Sequence, residues 1–208
     1  PNYNENIKTE NLLTFPYGPI ILHSVFYKIL GNLSFIILEY VFILLFFLTI
    51  FKIFEHMGFL FNSAVFSSLL VLFLPTLADL LSSFSIPYLH NFKIVLESIF
   101  SSRFPRPQVT GFYYLVFIYL SLKFSVDVKK NINKKYAILF ALMLGLILNS
   151  FFYFFIYCCL SLLILLTVKL KKNFLSFLIS KINVLLIFLV ILLITSTPFF
   201  LQLYLGES

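Results

Sequence analysis

Tryptophan is absent from this chain, cysteine occurs twice, glycine six times, and only 11% of the residues are charged. Soluble domains carry about 25% charged residues, so the polar coat of a water-soluble surface is missing. Cys158 and Cys159 are adjacent within an apolar run. They form no C-x-x-C pair and read as small buried hydrophobes, which argues against a thiol redox centre. No G-x-x-x-x-G-K-[ST], H-E-x-x-H or G-x-S-x-G pattern occurs, so nothing points to a nucleotide motor, a zinc protease or a serine hydrolase. No internal repeat of about 20–50 residues is visible. A basic n-region with a short apolar stretch and a cleavage site is also missing, and the chain opens on Pro1. The expectation is therefore a piece without its natural N-terminus and without a signal peptide.

What is present is grease: 61% of residues are hydrophobic, 20% aromatic, and the mean hydropathy is +1.04. Runs such as "VFILLFFLTIF" do not alternate, as a transmembrane barrel strand would. The sequence therefore predicts an all-α fold, a single multi-pass transmembrane helical bundle over residues 1–208. Spans are expected at Leu33–Phe54, Met57–Pro75 (closed by its proline), Gly111–Val126 and Asn183–Leu203, with Pro198 as a kink. Tyr136–Val168 has no charge over thirty-three residues, and as one helix it would be about 50 Å long, too long for one crossing. Lysines flank both ends, so the segment must turn back, at Asn149-Ser150 by our reading. That makes about six spans.

Of the fifteen Lys and Arg, ten fall at Lys52, between Lys123 and Lys135, and between Lys169 and Lys181. Lysine-rich loops stay cytoplasmic, which leaves residues 1–30 and 76–110 as outer segments. The +7 net charge fits this topology rather than a nucleic-acid partner. Two outer stretches, Tyr17–Leu30 and Tyr88–Phe100, have apolar residues at helical spacing opposite His23 and His90, and are predicted as interfacial amphipathic helices. Pro19 suits the first turn of the former and Gly31 its exit.

"SSRFPRPQVT", Ser101 to Thr110, stands apart, with two arginines, two prolines and a glutamine. Prolines at 105 and 107 push Phe104 and Arg106 toward extended geometry. Arg103 and Arg106, with Gln108, would grip a lipid phosphate, because guanidinium pairs bidentately with phosphate oxygens. His23 and His90 are candidates for orienting the phosphate or a sugar. Asp79, Glu5 and Glu10 are the candidate catalytic carboxylates. The plain alternatives are an N-terminal helix charge for Asp79, ordinary lipid-phosphate contacts for the arginines, a solvated tail for the glutamates, and polar faces of interfacial helices for the histidines. Glu39, within the first span, is an ionisable group where lipid makes one costly.

"FPYGPIILHSVFYKILG", Phe15 to Gly31, and "LMLGLILNSFFYFFIY", Leu142 to Tyr157, resemble bacterial integral-membrane glycosyltransferases of the GT-C superfamily, over about Phe15–Val168. The resemblance implies sugar transfer from a polyprenyl-phosphate carrier to a cell-envelope acceptor, at the outer face of the bacterial cytoplasmic membrane. A first-loop carboxylate would serve as base or divalent-metal ligand, and Arg103 and Arg106 would hold the donor phosphate. The chain departs from the pattern in having no Asp-x-Asp or Asp-Glu pair before Phe15. Two other functions compete. A transporter or flippase for a lipid-linked or small polar substrate would use broken helices and polar residues inside the bilayer. A non-catalytic membrane subunit would need no acidic pair.

Overall fold

The computed structural model describes residues 17–82, 106–127, 134–170 and 179–206, and the side chains of 18–74, 109–126, 134–170, 179–201, 203 and 204. Among the described residues the chain forms seven helices: α1 (Tyr17–Leu30), α2 (Leu33–His56), α3 (Phe61–Ser82), α4 (Arg106–Asp127), α5 (Lys134–Ser150), α6 (Phe152–Leu170) and α7 (Ile182–Gly206). By length and composition four carry segments able to cross a membrane: Leu33–His56, Val109–Val126, Phe152–Leu170 and Ile182–Leu201. Gly18–Leu30 and Phe61–Leu74 are shorter apolar helices. The outside is as apolar as the inside, with Leu60 80% exposed, Ile29 74% and Ile194 66%. In water such surface would drive aggregation, whereas in lipid it meets its own kind. The protein is a multi-pass membrane protein, helical throughout its described elements.

Two turns are set by glycine. Gly31 has φ +56° and donates its N–H to Tyr27 O at 2.8 Å, ending α1. Gly58, φ +91°, donates to Glu55 O at 3.1 Å between α2 and α3. Both lie in the left-handed region that a side chain resists.

Prolines behave differently from the sequence expectation. α3 runs through Pro75 to Ser82, so that proline does not close the second span, and the outer segment expected from Thr76 begins as helix. A proline costs a helix one N–H bond and a kink, and inside a membrane bundle neighbouring groups can re-satisfy the freed carbonyl. Arg106 is helical rather than extended, with Pro107 as the second residue of α4. In a first helical turn the missing N–H has no intrahelical partner to lose. The expected helix at Tyr88–Phe100 lies outside the described residues.

The chain divides into two compact units, 22–119 and 1–21 with 120–208. In the 22–119 unit α2 packs on α3, burying Ser34, Leu38, Phe42, Ile50, Ala64 and Ser68. Aromatic rings lock the joints: Phe51 and Phe61 meet edge-on at 5.6 Å across the Gly58 turn, and Phe42 meets Phe112 of α4 at 5.6 Å. In the other unit α5 is the hub, packed against α7 and α6, with Ala137, Phe140, Ala141, Leu144, Gly145, Ile147, Leu148, Asn149 and Ser150 buried. α5 and α6 are separated by Phe151 alone. Tyr136 and Phe140 of α5 line the same cleft as Leu162 and Leu166 of α6, so the chain reverses at that residue.

Candidate functional site

Glu5, Glu10, His90 and Arg103 lie outside the described residues. The backbone of Asp79 sits in the last turn of α3, and Arg106 and Gln108 in the first turn of α4; their side chains are outside the described set. Asp79 is therefore not an N-terminal helix charge, and at a C-terminus the helix field opposes rather than favours a carboxylate. His23 is described. Its Nε2 is 3.3 Å from Ser34 Oγ, and its ring lies 3.8 Å from that of Phe35. It thus clasps α1 to the start of α2 around the Gly31 turn. Glu39 is on an exposed side of α2.

The densest polar group among the described side chains lies where α5 crosses α7. Gly145 makes the crossing possible: a Cβ there would lie 2.5 Å from Thr195 Cβ and would strike Thr195 Oγ1. One turn on, Asn149 Nδ2 donates to Gly145 O and to Thr195 O, both at 2.7 Å. An amide nitrogen carries two hydrogens, so one group serves both carbonyls, and the opposite amide orientation would set oxygen against oxygen. Thr195 lies in the turn before Pro198, inside α7. That proline has no N–H for Ile194 O, and Asn149 donates from the neighbouring helix to the next carbonyl along, Thr195 O. Ser150 donates to Leu146 O at 2.8 Å, and Thr195 Oγ1 to Ile191 O at 2.8 Å. In α1, Gly18 stands against this end of α5, where a Cβ would lie 3.1 Å from Ser150 Oγ.

Two buried atoms of this region have no hydrogen-bond partner, Asn149 Oδ1 and Ser196 Oγ. An orphaned polar atom in an apolar bundle is costly, so these two positions mark where a further donor would be welcome. The set is uncharged. It can bind by hydrogen bonds and pin helices, but it holds no acid or base. Among the described residues no group of three His, Cys, Asp or Glu could hold a metal. Cys158 is fully buried and Cys159 partly so, both unpaired as thiols.

Asn149 was legible in the sequence as a polar residue in an uncharged run. Gly145, Thr195 and Ser196 carry no such mark in the sequence. The spacing Gly145–Asn149, one helical turn, and the polar "TSTP" before the end of α7 were the available signals. No protein-family model, no curated protein and no solved structure matches the chain.

Proposed function

We propose that this chain works on a lipid-linked phosphate at the outer face of a bacterial cytoplasmic membrane, as a glycosyltransferase moving sugar from a polyprenyl-phosphate carrier to an envelope acceptor. The observation that supports the reading is the continuity of α4. Twenty-two residues of helix run from Arg106 to Asp127, about 33 Å at 1.5 Å per residue. Arg106 and Asp127, the latter two residues before Lys129 in sequence, are thus opposite ends of one bilayer-length helix. Under the positive-inside rule the lysines face the cytosol, leaving Arg103, Arg106 and Gln108 for a phosphate leaving group on the other side. The backbone N–H groups of the first turn of α4 add donors at the same point. One of Asp79, Glu5 and Glu10 would take the acceptor proton.

The test has two arms. With Cys158 and Cys159 replaced by Ala, Ser101→Cys should react with a membrane-impermeant maleimide from outside intact cells. Reaction only after permeabilisation removes the proposed site. In membranes fed polyprenyl phosphate carrying radiolabelled hexose, Arg106→Ala should slow release of polyprenyl phosphate about 100-fold, the usual effect of losing one charge-stabilising donor. Unchanged release at equal expression sinks the assignment.

The orphaned Asn149 Oδ1 and Ser196 Oγ, near Pro198 inside α7, favour a second reading, a transporter or flippase. It predicts that reconstituted protein moves a fluorescent polyprenyl phosphate between leaflets, read by dithionite quenching. A reconstituted bilayer that keeps its inner-leaflet pool unquenched excludes it.

A further inference from the structure

The 120–208 unit contains a cleft of about 90 Å³ at the starts of α5 and α7. It is lined by Phe124, Phe140, Leu162, Leu166, Val184 and Phe188, together with Ala137, Lys181 and Tyr136. An apolar wall of this kind in a membrane protein is wetted by acyl chains. What distinguishes it from ordinary lipid-facing surface is the cation. Lys181 precedes α7, and its carbonyl accepts the N–H groups of Val184 and Leu185 at 2.9 and 3.0 Å. Lys134 and Lys135 open α5 immediately before Tyr136, and Lys169 lies in the last turn of α6, one turn beyond Leu166. Four lysines are therefore carried by the helix ends that border one cleft. Two of those ends are N-termini, whose dipoles add positive potential, and the third is a C-terminus already matched to its lysine.

We infer that this cleft is a binding site for an anionic phospholipid, one acyl chain between α5, α6 and α7 and the headgroup phosphate at Lys181. The charge sign selects the headgroup, and the apolar walls take the chain. Basic pockets between membrane helices on the lysine-rich side bind anionic headgroups for this reason. The site is independent of the sugar-transfer reading, since Phe124 is near the opposite end of α4 from Arg106.

Native mass spectrometry of the full chain, purified with phosphatidylglycerol or with phosphatidylcholine of the same acyl chains, tests it. The wild type should retain phosphatidylglycerol at least fivefold better. Lys181→Gln should cut that retention about fivefold, the worth of one lysine at an anionic surface, and leave phosphatidylcholine unchanged. Ala137→Leu, which adds bulk to the cleft lining, should lower retention of both. Equal retention of the two lipids, or no effect of Lys181→Gln, means an ordinary lipid annulus and overturns the inference. A two-chain mass without lipid gives the cleft to a second copy and overturns it too. Should Ala137→Leu fail to fold, wild-type photolabelling decides. Phosphatidylglycerol with a diazirine on its acyl chain should mark the Phe140 and Leu162–Leu166 peptides. Labelling spread evenly over outward residues such as Leu193 and Ile194 refutes the site.

Discussion

Replacing Gly145 by alanine should separate two helices. The added Cβ would lie 2.5 Å from Thr195 Cβ, whereas carbon atoms rest at about 3.5–4.0 Å, so the contact must open by about 1–1.5 Å. Thr195 cannot yield by turning its side chain, because Cβ is fixed to the backbone. α5 and α7 must therefore move apart, and the Asn149 Nδ2 to Thr195 O bond, 2.7 Å in the native protein, passes beyond hydrogen-bonding range. Overpacking of this kind costs about 1–3 kcal/mol, and an interhelical hydrogen bond in a membrane contributes about 0.6–1.7 kcal/mol. Alanine's better helix propensity returns about 1 kcal/mol. The net loss should be about 1–4 kcal/mol, read from unfolding in mixed detergent–SDS micelles. The decisive variant is the double one, Gly145→Ala with Thr195→Gly, which removes the clashing Cβ. Thr195 Oγ1 bonds to carbonyls of its own helix, Ile191 and Leu192, so its loss orphans nothing on α5. The double variant should recover at least 1 kcal/mol of coupling. A Gly145→Ala protein as stable as its parent, or a double variant no better than the sum of its parts, would refute the crossing as described.

The same micelle assay separates two changes at Asn149. Asn149→Asp is close in shape yet should be more destabilising than Asn149→Leu, because it sets a carboxyl oxygen against two carbonyl oxygens in an apolar bundle, while leucine leaves no new orphan atom on its own side; equal losses would contradict the assigned donor. Gly58→Ala, at φ +91°, should cost about 1–2 kcal/mol from the left-handed backbone alone. Gly31→Asn, at φ +56°, should cost clearly less, since asparagine tolerates that conformation; the reverse ranking would mean that the two turns are not governed by backbone strain.

Much of the helical layout could be read from one chain because lipid imposes it. The long apolar stretch from Leu33, the exit at Gly31 and the final apolar stretch through Pro198 all follow from local composition and backbone chemistry. Pro75 and Pro107 depart from the sequence expectation for one shared reason. Whether a proline ends a helix depends on what becomes of one carbonyl, which is decided by neighbours or by nearness to a helix start. The role of Thr195 is not legible in the sequence because its partner Asn149 is 46 residues away, and no periodicity links residues on different helices. The proposed chemistry rests on Glu5, Glu10, Asp79, His90, Arg103, Arg106 and Gln108. Sequence alone brings these seven together, through sidedness, and none has a described side chain. His23 alone among the predicted site residues has a described environment, and there it fastens a turn.

The central position of α5 has a consequence for how the protein is made. Its Asn149 finds an acceptor on a helix synthesised 46 residues later, a delay of roughly 2–9 s at ordinary elongation rates. A nascent chain paused in that interval presents a polar amide to the bilayer with only its own turn to bond. The insertion machinery must therefore shelter the newborn hairpin until the last helix emerges, and quality-control proteases would meet the chain at its most vulnerable in that window.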